Sequence, residues 1–311
     1  MPSKDLLGLR DLSEEKLTLV LKKAEEFKKL LQRKEKGDDL KGKRVINIFF
    51  EPSTRTRTSF EIAERNLSAE MTNITPSASS LTKGESLKDM IENLEAMKPD
   101  LLVIRHGASG AAQLIASYTK ASVINGGDGS HEHPTQGLVD LFTVKEHLGQ
   151  IQNKRVLIVG DIAYSRVARS NIYGFTKMGA KVTVVGPATL LPPGIEKLGV
   201  TVSTQFAKHI PEADVIMLLR IQKERQETLN FPSLAEYTRF FGLTRDLLPL
   251  IKKGTLIMHP GPINRGVEID PEIADSKSAD GPRIVILDQV ANGIAVRMAV
   301  LSLWANQRVK K

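Results

Sequence analysis

Apolar residues recur along this chain in two registers. Short unbroken runs rich in Val, Ile and Leu at 45–50, 101–104, 122–124, 156–159, 182–185, 215–219 and 255–258 have the length and composition of buried strands. Between them, apolar positions return every three or four residues, as helices require, at 59–67, 87–97, 135–147, 166–178 and 294–304. A further amphipathic helix is expected over 13–33, which carries apolar positions at Leu17, Leu19, Val20, Leu21, Ala24, Phe27, Leu30 and Leu31. The polar stretch 34–44 reads as a surface loop. Strands alternating with helices predict α/β architecture: two doubly wound parallel-sheet domains, with ligands at the strand C-terminal ends and the active site in the cleft between the domains. The expected division is 1–133 plus a returning C-terminal helix within 290–311, against 134–289.

Composition narrows the chemistry. The 311 residues contain no cysteine, which excludes disulfides, thiolate metal sites and a cysteine nucleophile. The N-terminus lacks the apolar core of a signal peptide, and no run approaches the length of a transmembrane helix, so no membrane role and a cytoplasmic location are expected. The net charge of +8 suits anionic ligands. Its lysines are scattered among glutamates without an aromatic-interleaved patch, so nucleic acid is not the expected partner.

The densest chemistry lies in Ser53-Thr54-Arg55-Thr56-Arg57-Thr58, between the 45–50 strand and the helix after it. A strand-to-helix turn offers free backbone N–H groups and the positive end of a helix dipole, and arginine adds a fork that matches phosphate oxygens. The alternative is a Ser/Thr N-cap flanked by solvated arginines. Other polar residues follow strands in the same way: Arg105-His106 after 101–104, Gly160-Asp161 and then Arg166 after 156–159, Arg220 after 215–219, and His259-Pro260-Gly261-Pro262 after 255–258. Four arginines so placed predict a cationic cleft for substrates carrying several negative charges. His133 precedes Pro134, which suits the first position of a helix; an imidazole there is expected to be neutral and to donate to a carbonyl oxygen. The glycine fingerprints of dinucleotide and P-loop sites are absent, and His131-Glu132-His133 has no partner cluster, so neither cofactor nor metal is expected. The segments 75–84 and 222–232 read as functional loops.

The motifs Ser53-Thr54-Arg55-Thr56-Arg57-Thr58, Lys83-Gly84-Glu85-Ser86-Leu87, His133-Pro134-Thr135-Gln136 and His259-Pro260-Gly261-Pro262, in that order, resemble the carbamoyltransferase family over nearly the whole chain. Its ornithine branch carries a cysteine in the last motif, which this chain lacks, and Arg166 and Arg220 suit the two carboxylates of aspartate. The resemblance therefore implies carbamoyl transfer from carbamoyl phosphate to aspartate, in pyrimidine synthesis. It implies that Ser53, Thr54, Arg55 and Thr56 hold the phosphate. Arg105, His133 and Thr56 would polarise the carbonyl, Gln136 would orient the carbamoyl amide, and Gly261 and Pro262 would contact it. Arg166, Arg220 and Gln222 would clamp aspartate. Lys83 and a serine, Ser79 by spacing although Ser80 adjoins it, would come from a neighbouring chain in a homotrimer. Some family members also bind regulatory chains or a dihydroorotase. The competing expectation is a non-catalytic anion-binding relative, but none of these positions is lost. Arg57 is left without a ligand and is expected to pair with a carboxylate such as Glu51.

Overall fold

Two all-parallel sheets form, one in each of two units. The computed structural model describes residues 4–76, 85–222, 233–276 and 281–305. The chain divides into Met1–Phe142 with Val290–Lys311, and Thr143–Gln289. In unit 1 the strands are β1 (Arg44–Phe49), β2 (Glu70–Ile74), β3 (Leu101–His106) and β4 (Ser122–Asp128), in the order β2-β1-β3-β4. In unit 2 they are β5 (Arg155–Val159), β6 (Lys181–Val185), β7 (Thr201–Ser203), β8 (Val215–Leu218), β9 (Leu256–Met258) and β10 (Arg283–Ile284), in the order β10-β9-β8-β5-β6-β7.

The helices of unit 1 are α1 (Glu14–Gln32), α2 (Thr54–Asn66), α3 (Leu87–Ala96) and α4 (Ala111–Ser117). Helix α5 (Pro134–Leu148) runs from unit 1 into unit 2. Unit 2 adds α6 (Arg166–Lys177), α7 (Phe206–His209), α8 (Leu234–Phe241) and α9 (Pro271–Ala274), and α10 (Ile286–Ala305) returns the chain to unit 1. Side-chain alternation along the strands sends Ile46, Ile48, Leu102, Ile104 and Val123 to one face of the first sheet, where they pack on Ile91, Leu94, Ala112 and Ile115 of α3 and α4. In unit 2, Leu157, Val159, Ile216, Leu218 and Ile257 meet Phe206, Ile210, Tyr237 and Phe241.

The three strands without a counterpart in the hydrophobic pattern, β2, β7 and β10, all lie at sheet edges. Edge strands bury little, and Glu70-Met71-Thr72-Asn73-Ile74 has no fully buried residue, so it lacks the apolar run that marks β1 or β8. Helix α2 begins at Thr54, earlier than its apolar spacing suggests. Its inward face is Thr56, Phe60, Ala63 and Glu64, half polar and so invisible to a hydrophobicity reading. Helix α10 also starts earlier, at Ile286, because Leu287 and Val290 in its first turns are 80% and 49% exposed. With that extension it is long and apolar enough to cross a membrane, which corrects the expectation that no segment reaches that length. It is nonetheless a core helix, with 67% of its apolar window buried. Its far end is tied to unit 1: Ser302 Oγ donates to Asp39 (2.6 Å) and Ser122 Oγ donates to the Trp304 carbonyl (3.1 Å).

A polar seam runs under α2. Asn47, inside β1, donates to Glu64 Oε2 (2.9 Å) and to Asn73 Oδ1 of β2 (3.0 Å). Glu64 is fully buried, and its Oε1 meets no donor among the described residues. Burial pushes its carboxyl up from 4.5 to about 8, against the bond from Asn47. The folded protein therefore holds this proton between roughly pH 5 and pH 8, where the unfolded chain has released it, and stability falls as pH rises through that window. The limiting slope is about 1.4 kcal/mol per pH unit. We expect Glu64→Gln to melt at progressively higher temperature than the parent as pH is raised from 5 to 8. Parallel melting curves across that range rule out a protonated Glu64.

Candidate active site

In unit 1 the singled-out residues gather at one edge of the sheet, where β1, β3 and β4 end side by side. The chain leaves β1 through Phe50 to Pro52 and enters α2. Ser53 is the N-cap residue of α2, but its side chain makes no capping bond. This sets it apart from Ser13, Ser86, Ser165 and Ser233, each of which caps its helix by accepting an amide three residues on. The first turn of α2 also has no acidic residue, and its first intrahelical donor is the Arg57 amide, to the Ser53 carbonyl (3.1 Å). The amides of Thr54, Arg55 and Thr56 thus open the helix with no side-chain cap, beside the exposed Arg55 and the largely buried Thr56.

Arg105 ends β3 next to this turn. Its carbonyl accepts from the Phe50 amide (2.9 Å), its Nη1 donates to the Gly126 carbonyl of β4 (3.1 Å), and its Nε lies 3.5 Å from Glu51. Glu51 therefore faces Arg105, which corrects the expected pairing with Arg57. Arg57 does meet a carboxylate, but it is Glu61 one turn along α2 (3.0 Å), with Thr75 Oγ1 at 3.2 Å. An i,i+4 partner on the same helix is nearer than a carboxylate across the turn. His106 accepts the Ala108 amide on Nδ1 (2.8 Å), and burial lowers its pKa against the pull of Glu51 and Asp128.

After β4, the turn 129–132 leads to His133, buried at the mouth of α5. Pro134 opens that helix, and Thr135 Oγ1 lies 3.4 Å from His133 Nδ1. Gln136 donates through Nε2 to Asp140 (2.8 Å). Acids near His133 are engaged structurally: Glu132 accepts the Leu9 amide (2.7 Å) and the Arg10 amide (3.3 Å), while Asp128 accepts the Gly110 amide (2.7 Å) and contacts His131.

Unit 2 repeats the arrangement at the C-terminal ends of β5, β8 and β9, which are neighbours in its sheet. Arg166 is the first residue of α6 and is buried; Arg220 follows β8 and is half-buried. The Gln222 side chain donates back to the Arg220 carbonyl (3.2 Å), and its backbone amide donates to Asp161 Oδ2 (3.1 Å). Two buried acids brace this segment. Asp161 also accepts the Tyr164 amide (3.0 Å), and Glu268 accepts the amides of Ile221 (3.2 Å) and Asn264 (2.8 Å). Burial raises the Glu268 carboxyl, and burial beside Glu268 and Asp161 raises the Tyr237 phenol. Gly160, at φ +128°, permits this packing: a Cβ there would lie 2.7 Å from the Tyr237 hydroxyl. After β9, the His259 amide donates to Gln289 (2.9 Å), the Gly261 amide donates to His259 Nδ1 (2.8 Å), and Gly261-Pro262 is cis.

Ser53, Thr54, Arg55, Thr56, Arg105, His133 and Gln136 thus share one sheet edge in unit 1, and Arg166, Arg220, Gln222, Gly261 and Pro262 share one in unit 2. Ser79, Ser80 and Lys83 lie outside the described residues. Asp140, Asp161, Glu268, Asn264 and Tyr237, which hold site residues or the segments that carry them, were given no such role by the sequence reading.

Comparison with known proteins gives a concordant result. The family model described as "Aspartate/ornithine carbamoyltransferase, carbamoyl-P binding domain" matches residues 4–146, and "Aspartate/ornithine carbamoyltransferase, Asp/Orn binding domain" matches residues 152–304. The aspartate carbamoyltransferase catalytic subunit of Syntrophobacter fumaroxidans is 55% identical over 301 residues, covering 96% of this chain and 97% of that one. Among solved structures, the catalytic subunit of M. jannaschii aspartate transcarbamoylase superposes with a TM-score of 0.84 at 33% identity, covering 99% of this chain and 100% of that one. Aspartate transcarbamoylase from Trypanosoma cruzi, in complex with N-(phosphonacetyl)-L-aspartic acid, gives 0.86 at 28% identity, covering 97% and 95%. With both halves matched by the family's two models, this chain belongs to the aspartate/ornithine carbamoyltransferase family.

Proposed function

We propose that this chain transfers the carbamoyl group of carbamoyl phosphate to the amino group of L-aspartate, giving N-carbamoyl-L-aspartate and phosphate for pyrimidine synthesis. The observation that carries the reading is the α2 N-terminus. It is the one Ser-initiated α-helix among the described residues whose serine leaves the first-turn amides uncapped, and it lies beside Arg105 at the sheet edge. Family membership and the naming of the relatives support the same reaction. Ser53, Thr54, Arg55 and Thr56 bind the phosphate of carbamoyl phosphate, which enters first. Arg105, His133 and Thr56 polarise the carbonyl and stabilise the oxyanion that forms on attack. A Thr135 hydroxyl donated to His133 Nδ1 leaves the proton on Nε2, the tautomer that serves as a donor to that oxygen. Gln136 and the Gly261-Pro262 backbone meet the carbamoyl group.

Arg166, Arg220 and Gln222 hold the aspartate carboxylates. The amine nitrogen bonds to the carbonyl carbon, the bond to the bridging phosphate oxygen breaks, and the departing phosphate takes the amine proton. No side chain is assigned as the base, so catalysis rests on orientation and charge stabilisation. Lys83 and Ser79 are assigned to the site of a neighbouring chain in a cytoplasmic homotrimer. The Arg166 and Arg220 pair favours aspartate over ornithine, whose second amine calls for an acidic partner.

The direct test is turnover with aspartate and with ornithine on one sample whose native mass is recorded. Carbamoyl-aspartate from a trimer is expected; carbamoyl-ornithine in its place overturns the substrate assignment. Arg55→Ala is expected to lower kcat/KM at least a hundredfold with its melting temperature unchanged, and parent-like turnover removes the phosphate role of the α2 turn. Mixing Arg55→Ala and Lys83→Ala chains under exchange is expected to restore part of the activity through hybrid trimers. Complete inactivity after verified exchange argues against a shared site.

A further inference from the structure

The residues before α1 run along the free edge of β4, the last strand of its sheet. Leu6 pairs with Ile124 in a parallel bridge: the Leu6 amide donates to the Val123 carbonyl (2.8 Å), and the Asn125 amide donates to the Leu6 carbonyl (2.9 Å). Asp5 Oδ1 accepts the Val123 amide (2.8 Å), and Leu6 and Leu9 are fully buried. This strap covers an edge that would otherwise present a row of backbone groups. Covering the edge needs only residues 5 and 6. Residues 7–10 go further and bind the turn between β4 and α5. The Leu7 carbonyl accepts from Asn125 Nδ2 (2.8 Å), and the amides of Leu9 and Arg10 donate to Glu132, to Oε2 at 2.7 Å and to Oε1 at 3.3 Å. Gly8 passes so close to this carboxylate that a Cβ there would lie 2.2 Å from Oε1 and 2.7 Å from Cδ. An added methyl group must therefore displace the carboxylate or the strap.

Glu132 is 1% exposed, and its backbone is held as firmly as its side chain. Its amide donates to Asp128 Oδ1 (3.3 Å), its carbonyl accepts the Asp128 amide (3.2 Å), and Asn125 Nδ2 lies 3.4 Å from the same carbonyl. That carbonyl belongs to the planar peptide that carries the His133 nitrogen, so holding it places the His133 Cα. From the other side, the His133 carbonyl accepts the amides of Gln136 (2.9 Å) and Gly137 (3.1 Å) as α5 begins. The imidazole thus projects from a backbone held at both ends, by α5 after it and by Glu132 before it. A buried carboxyl is costly unless it is hydrogen-bonded, and the strap supplies Glu132 with two backbone donors.

We propose that the strap 5–10 is a positioning element of the active site: by holding Glu132, it places the His133 imidazole where it meets the carbonyl oxygen. Glu132 is the positioning residue, and Gly8 is the contact that lets the strap reach it. The inference rests on the reading that His133 polarises the carbonyl. A donor aimed at a developing oxyanion acts mainly in the transition state and little in ground-state binding. The α2 turn, which is read as the phosphate site, makes no hydrogen bond to the strap among the described residues. A misplaced His133 therefore lowers kcat and leaves the affinity for carbamoyl phosphate largely in place.

The test is carbamoyl-aspartate turnover, calorimetric binding of carbamoyl phosphate and a thermal melt on the parent, Gly8→Ala, Glu132→Ala, Glu132→Gln and His133→Ala. Gly8→Ala and Glu132→Ala are each measured again in the His133→Ala background. Alone, each is expected to lower kcat about tenfold while the Kd for carbamoyl phosphate stays within about twofold. Glu132→Gln keeps an acceptor of the same shape for the Leu9 amide and leaves the exposed Arg10 amide to water, so its kcat is expected within about threefold of the parent. His133→Ala is expected to cost about a hundredfold in kcat. Adding Gly8→Ala or Glu132→Ala to it is expected to cost nothing more, because the group they position is gone. Further losses in the double variants reduce the strap to an edge cover and overturn the proposal. So does a parent-like kcat in folded Gly8→Ala or Glu132→Ala, or a fall in kcat matched by an equal fall in carbamoyl phosphate affinity. Should Gly8→Ala not fold, the contrast between Glu132→Ala and Glu132→Gln decides the matter. Parent-like turnover in His133→Ala removes the role of His133 itself, and the strap's with it.

Discussion

Parallel pairing is the constraint on which the rest of this molecule depends. In the β1-β3-β4 and β9-β8-β5 ladders every strand runs the same way, so each chain exit falls on the same edge of its sheet. The polar residues after those strands converge without any contact between them in sequence. The helices that follow begin at that edge, with their N-terminal amides and the positive ends of their dipoles among those residues. A cationic, donor-rich edge is thus a property of the topology, and the arginines reinforce a field the backbone has already established.

What the sequence adds is a set of local exceptions to ordinary helix construction. Most serine-initiated helices here satisfy their own first turn; α2 does not, and its first-turn positions are threonines and an arginine where an acid or a capping hydroxyl would be the stabilising choice. An uncapped N-terminus forgoes on the order of 1 kcal/mol of helix stability. That loss is offset by the interior face of α2, where Phe60 and Ala63 are fully buried.

The fold was legible in the chain where burial is two-sided. The runs at 156–159 and 215–219 appear as β5 and β8 nearly residue for residue, because a strand covered on both faces must be apolar throughout. Legibility failed where a residue is buried for a polar reason. The early start of α2 was hidden by Thr56 and Glu64, and the edge strand β2 by its exposed face. The strand-following residues were readable because their positions depend only on where strands end. The groups that hold them were not, because Glu268 and Asn264 lie more than forty residues from the Ile221 amide that Glu268 accepts, and no local pattern announces that distance. Asp140 left a trace: it is a charge inside an apolar helical run, Leu138-Val139-Asp140-Leu141-Phe142.

The buried acids show why such traces matter in a protein of net charge +8. Arginine at an anion site repels other arginines, and the cheapest remedy, a carboxylate beside each one, would also repel the substrates. Glu51 lies 3.5 Å from Arg105 at the unit 1 edge. Elsewhere the acids act at one remove: Asp161 and Glu268 take backbone amides around Arg220, Glu132 takes amides of the N-terminal segment beside His133, and Asp140 takes the side chain of Gln136. Their charge is largely absorbed by amides. Negative charge thereby fixes the geometry of the strand-following groups without lowering the positive potential at the sheet edges.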